Sequence, residues 1–203
     1  MARRDSRAAL VDAAAALFAQ QSYAETSVQD VCEAAGVTKG SFYYHFRSKE
    51  EVLYEIYARM FRVQLSDLEE VSSSDAAVIE KLRAVADGVV RSSIEHLHEA
   101  TVFWQSLPNV SEGMRTRLRA QRREYHERIK ALIEQGQAER TLRTDLPADI
   151  MVNFFYGAVH RLDDWYRHGG AYDGAQVGQA YAELFVSSVT CRTSTRTSPA
   201  AQA

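Results

Sequence analysis

Breaks are scarce in this chain. Only 10 Gly and 3 Pro punctuate its 203 residues, and Pro108, Pro147 and Pro199 all fall between apolar-periodic segments. A many-stranded β fold needs turn residues about every 8–12 positions, so the chain reads as a set of long helices. No apolar run approaches the ~20 residues of a membrane span. The start, MARRDSRAALVDAAAALF, is broken by charges and lacks a small-residue cleavage site. It reads as an amphipathic helix rather than a signal peptide. Cys32 and Cys191 sit in unrelated contexts and suggest no disulfide framework. A cytoplasmic, reduced, all-α protein of about nine helices is expected.

Helical periodicity divides the chain further. Leu10, Ala13, Ala14, Leu17 and Phe18 form one apolar stripe. Thr26 with Gln29 reads as a capping box opening a second helix, which Gly36 ends. A third short helix starts at Thr38 and turns Phe42 and Phe46 inward. Ser48 with Glu51 opens a long helix that is expected to fade into a surface loop over Asp67–Asp75. Further helices are predicted at about 76–97, 101–107, 111–139, 147–168 and 173–189, followed by a disordered tail, 191–203. The expected division is an N-terminal three-helix domain at 1–47 and a larger domain at 48–190.

Residues 26–49, TSVQDVCEAAGVTKGSFYYHFRSK, have the form of a helix-turn-helix, whose second helix enters the DNA major groove. Val31, Ala35, Val37 and Phe42 must meet for the two helices to lock. The outward positions Thr38, Lys39, Gly40, Ser41, Tyr43, Tyr44 and His45 are then free for DNA. A net charge of −3 offers no global basic excess, so binding must rest on a local patch. Through residue 49, six Arg and Lys oppose five Asp and Glu, a net of +1. Salt-sensitive binding carried by particular side chains and helix N-termini is expected.

The pattern Ala13-Ala14…Leu17-Phe18, Tyr23-x-x-Thr26, Val31-Cys32-x-Ala34-Ala35-Gly36-Val37 and Gly40-Ser41-Phe42-Tyr43-Tyr44-His45-Phe46-x-Ser48-Lys49-Glu50 resembles the TetR family of bacterial transcriptional regulators. The resemblance runs through nearly all of residues 8–53. It implies an all-α homodimer with an N-terminal three-helix DNA-binding domain and a C-terminal ligand-binding and dimerisation domain. It also implies repression of nearby genes, with release from a palindromic operator when a small molecule binds. By position, Thr26 and Ser27 would aim hydroxyls and N–H groups at a phosphate. Lys39, Tyr43, Tyr44 and Lys49 would clamp phosphates, and Lys39 is the best candidate for a guanine contact. His45 would orient backbone and phosphate contacts.

In the C-terminal half, Phe103-Trp104, Phe154-Phe155-Tyr156 and Trp165-Tyr166 concentrate aromatic rings on helices that should face one another. Ligand cavities are lined mainly by such rings with a few polar groups. The candidate ligand residues are therefore Phe103, Trp104, Phe155, Tyr156, His160 and Trp165, although the same rings would serve as core. Arg115, Arg117, Arg119, Arg122, Arg123, Arg128 and Lys130 crowd one helix and offer partners to a phosphate-bearing ligand, or simply form a solvated face. His160, Asp163, Asp164 and His168 are spaced for a shared helix face, but without a matching cysteine or carboxylate cluster they read as hydrogen-bonding groups, so no metal is expected. The segment from Trp165 to Gly170, with Val177-Gly178-x-x-Tyr181, resembles a TetR subgroup controlling fatty-acid or sterol breakdown. That likeness implies an acyl-CoA thioester as effector.

Val152, Phe155, Val159, Leu162 and Tyr166 on one helix, and Val177, Ala180, Tyr181, Leu184, Phe185 and Ser188 on the last, suggest a homodimer interface. Gly178 and Ala182 would admit the partner helix. No catalytic residues and no cofactor are expected, because no nucleophile–base pair and no Gly-rich phosphate loop occurs. The rival readings are a ligand carrier or enzyme on the same scaffold without regulated DNA release, and an activator or nucleoid-type binder with little sequence preference.

Overall fold

A computed structural model describes residues 5–97, 100–101 and 106–190 of the chain. The expected tail 191–203, most of the expected 101–107 helix, and Phe103 and Trp104 lie outside the described residues.

Three short helices build the N-terminal unit. Helix α1 (Ser6–Gln21) begins where the Asp5 carboxylate accepts the Arg7 backbone N–H. It buries Leu10, Val11, Ala14 and Phe18, a stripe slightly rotated from the expected one, with Leu17 only half-buried. Helix α2 (Val28–Ala35) is capped one residue later than the sequence suggested. Ser27 Oγ accepts the Asp30 N–H at 3.1 Å, and the Asp30 carboxylate accepts the Ser27 N–H at 2.7 Å. Thr26 is not free to cap because its hydroxyl donates to the Ser22 carbonyl at 2.8 Å. Gly36 closes α2 at φ 67°, a left-handed conformation that disfavours residues with a Cβ. Thr38 caps α3 (Lys39–His45), and Phe42 and Phe46 join Val31 and Cys32 in the core.

Helix α4 (Lys49–Ser73) leaves this unit as one long rod. Ser48 caps it, while the Glu51 carboxylate reaches the Arg47 N–H. The expected loop at Asp67–Asp75 is helical as far as Ser73, because Leu68 is fully buried and Leu65 and Val71 pack beside it. The acidic and serine residues occupy only the outer face. Helices α5 (Val78–Glu95), α6 (Glu112–Ala138), α7 (Ala148–Val159), α8 (Leu162–Trp165) and α9 (Gly174–Val189) complete the bundle, with a 3₁₀ turn at Leu107–Asn109 before α6. The helix expected over 147–168 breaks at His160–Arg161. The break swings Leu162 and Tyr166 into the core.

Helix α9 lies against α5 of its own chain. A Cβ on Gly178 would stand 2.5 Å from Asp87 Oδ1 and 2.8 Å from Arg91 Cγ, and Arg83 bridges to Glu183 at 2.8 Å. Gly178 and Ala182 therefore serve intrachain packing, not the partner helix assigned to them. Val152, Phe155, Val159, Leu162, Tyr166, Val177 and Phe185 are likewise buried within the protomer. The apolar side chains left outward on α7, α8 and α9 are Ile150, Phe154, Trp165 and Leu184, of which Leu184 is 69% exposed. Among the described residues, no helix is long and apolar enough to cross a membrane.

Candidate nucleic-acid interface and ligand cavity

Locking Phe42 and Phe46 inward leaves the opposite face of α3 outside. Thr38, Lys39 and Gly40 are exposed, and Ser41 is half-exposed. Tyr43 is 58% and Tyr44 85% exposed. Tyr43 keeps an edge contact with Phe42 at 5.3 Å, but rings this exposed add little packing and offer a contact surface. Ser27, at the head of α2, is exposed on the same unit. Its hydroxyl oxygen is occupied by the helix cap, which leaves its proton for an acceptor such as a phosphate.

Three of the expected DNA contacts are committed elsewhere. Thr26 is buried, with its hydroxyl on the Ser22 carbonyl. Lys49 points back into the protein, donating to the carbonyls of Tyr23 and Thr26 at 2.5 Å each and lying 4.3 Å from the Tyr23 ring centroid. It fastens the start of α4 to the α1–α2 turn, and desolvation there lowers its pKa. The His45 ring is hydrogen-bonded to Ser6 Oγ at 2.7 Å, fixing the end of α3 to the start of α1. These three residues brace the N-terminal unit internally rather than standing outward with the exposed face of α3.

A buried carboxylate ties this unit to α4. Glu55 takes a two-pronged contact from Arg7 (3.1 and 2.6 Å) and another from Arg62 (2.5 Å). Burial alone would raise the Glu55 carboxyl, but the bonds from Arg7 and Arg62 outweigh it and hold the group below its ordinary value. Its stabilisation is thus present at neutral pH and lost as pH falls through that lowered pKa. At the top of α4, Glu50 accepts both the N–H and the hydroxyl of Ser111, the cap of α6. One turn along, the Arg117 guanidinium stacks 4.0 Å from the Tyr54 ring centroid.

A cavity of about 240 Å³ lies between α4, α5, α6 and α7. Its wall carries a continuous run of rings: Tyr57 to Phe61 (4.7 Å between centroids), Phe61 to Tyr125 (6.0 Å), Tyr125 to Tyr156 (6.2 Å) and Tyr156 to His160 (5.8 Å). Arg122, Arg123 and Asn153 bring polar groups to it. Burial pushes the Tyr57, Tyr125 and Tyr156 phenols upward, so they stay protonated. Desolvation, helped by the nearby Arg122 charge, pushes His160 down to about 4, so its imidazole is neutral at pH 7.

Of the expected ligand residues, Tyr156 and His160 line this cavity. Phe155 does not: it packs on Phe185 at 4.6 Å in the core behind. Trp165 is also elsewhere, stacked on Tyr181 and 46% exposed. Tyr57, Phe61 and Tyr125 also line the cavity but were not singled out from the sequence, since Phe61 and Tyr125 fall at apolar helical spacing that reads as packing. On the basic helix, Arg119, Arg123, Arg128 and Lys130 pair with neighbouring carboxylates. Arg122 and Arg123 are the basic residues of α6 that reach the cavity wall. The expected His/Asp group is also divided, since Asp164 pairs with Arg161 at 2.7 Å.

Comparison with known proteins agrees with this layout. Residues 10–56 match the family described as bacterial regulatory proteins, tetR family. Residues 75–189 match the tetracyclin repressor-like C-terminal domain. The chain is 30% identical over 186 residues to the HTH-type transcriptional repressor KstR2 of Mycobacterium tuberculosis, covering 91% of this chain and 92% of that one. It is 31% identical over 178 residues to the repressor DhaR of a Mycobacterium species, covering 80% and 84%. The solved structure of the ketosteroid transcriptional regulator KstR2 of M. tuberculosis superposes with a TM-score of 0.77 at 26% identity, over 93% of this chain and 97% of that one.

Proposed function

The chain belongs to the TetR family of bacterial regulatory proteins, and we propose that it is a homodimeric repressor of a palindromic operator, released by a small hydrophobic ligand for which an acyl-CoA thioester is the leading candidate. The observation that carries the DNA reading is the outward face of α3. Lys39, Tyr43 and Tyr44 stand in solvent on a helix whose other side is fully committed to the core. A ligand carrier or an enzyme has no use for that face. In a dimer formed over Ile150, Phe154, Trp165 and Leu184, the two α3 helices would sit one DNA turn apart, roughly 34–36 Å, or a multiple of it.

Ligand and DNA are joined through α6 and α4. Arg122 and Tyr125 of α6 line the cavity, and the cap of the same helix, Ser111, is bonded to Glu50. Glu50 adjoins Lys49, which is fastened to the turn before α2. A ligand that prefers a shifted α6 therefore favours a shifted reading head, and DNA must in turn disfavour that ligand by the same factor. An acyl-CoA suits a cavity with apolar walls and arginines within reach of its phosphates. An exposed pair as long as Arg123–Glu127, at 4.0 Å with Arg123 83% exposed, contributes little and leaves that guanidinium available to a ligand.

Nuclease protection on the DNA upstream of the chain's own gene tests this directly. A protected palindrome with two half-sites is expected. Uniform, salt-labile coating with no boundary would instead fit a sequence-indifferent binder.

A further inference from the structure

One polar atom in the cavity has no role in the free protein. The Tyr156 hydroxyl is sealed from solvent and has no hydrogen-bond partner, although the residue lines the cavity. Buried hydroxyls are almost always paired, and leaving one unpaired is unfavourable. The nearest rings of the wall are His160 at 5.8 Å and Tyr125 at 6.2 Å between centroids, and the Arg122 charge acts on the phenol. Arg122 and Arg123, both exposed, line the same cavity and offer partners to a ligand's charged end.

We infer that Tyr156 is the recognition donor for an acceptor oxygen, a carbonyl or hydroxyl carried on the apolar body of the ligand. The assignment rests on the cavity being the effector site proposed above and narrows the effector to oxygenated hydrocarbon bodies rather than plain alkyl chains. A bare alkyl chain would occupy the same volume and leave the phenol unpaired. A ketone or alcohol at that point converts the unpaired donor into a hydrogen bond, and the Tyr125 ring packs edge-on against Tyr156 beside it.

The test compares cyclooctanone with its isostere methylenecyclooctane by calorimetric titration of the intact protein and of Tyr156→Phe, with thermal denaturation of both in the absence of ligand. Wild type should bind the ketone about tenfold more tightly than the alkene. In Tyr156→Phe the two should bind alike, and the free variant should melt no lower than wild type because no partner has been lost. A preference that survives in the variant, equal binding or no binding by wild type, or a lower melting temperature of the free variant would each overturn the assignment. No DNA enters these measurements. A failed preference therefore leaves ligand-released repression standing, whereas DNA binding that ignores every bound ligand defeats repression and leaves the Tyr156 contact intact.

Discussion

Placing a glutamate at both Phe154 and Leu184 is expected to yield a folded monomer that has lost at least about a hundredfold in operator affinity. Both side chains are largely exposed on the single protomer, 65% and 69%, so charge there costs the isolated fold little. In the proposed dimer they would be buried against a second copy, where an unpaired carboxylate is strongly unfavourable. Losing the partner removes the linkage between two half-site contacts, whose gain from effective concentration is of order 10²–10⁴. Sedimentation reads the mass, circular dichroism the helicity, and fluorescence anisotropy the DNA affinity. A variant that remains dimeric with unchanged binding would relocate the interface.

The second large effect concerns the reading face. Tyr44→Ala should lower operator affinity roughly tenfold for all sequences and reduce its salt dependence only slightly, since a phenol contributes no charge. Lys39→Ala should cost a similar factor and also relax the preference at one base pair, because a base contact is worth about 1–3 kcal/mol of discrimination. Together the two should approach a hundredfold loss. Neither side chain is part of the core, so melting temperature and ligand affinity should stay as in wild type. Lys49→Ala should behave differently and destabilise the protein, because Lys49 bonds two backbone carbonyls inside it. If Lys49→Ala weakened DNA binding while leaving stability untouched, the division between reading and holding residues would be wrong.

How far such a site can be read from residues alone depends on the range of the interactions. The face of α3 was legible because Phe42 and Phe46 must go inward, and the neighbours on a short helix then follow by geometry. Thr26 was misread because its hydroxyl turns back to the Ser22 carbonyl four residues earlier, and Lys49 because its partners are set by the tertiary fold. The carbonyls that hold Lys49 lie 23 and 26 residues away in the chain. The same limit applies to the cavity. Phe155 and Tyr156 are adjacent, yet one meets Phe185 in the core and the other Tyr125 at the cavity, and aromatic density cannot tell their faces apart. Helix extents were clear wherever an apolar period was unbroken, as in α6 and α9. They failed at the end of α4, where the acidic outer face hid the fully buried Leu68, and at His160–Arg161, where no Gly or Pro marks the break. Gly178 shows a further ambiguity. A small residue signals close approach without saying to which helix, and here it is α5 of the same chain.

In the proposed mechanism, occupancy of the α4–α7 cavity and engagement of DNA by α3 exclude one another. Its most direct test is operator affinity, measured by anisotropy at fixed salt, while the dimer is titrated with acyl-CoA thioesters of increasing and oxygenated acyl bodies. At least one that binds the dimer should weaken operator binding about tenfold or more, and saturating operator should weaken that thioester by the same factor. If every compound that binds the dimer leaves DNA affinity unchanged, cavity and reading head are uncoupled and the account fails.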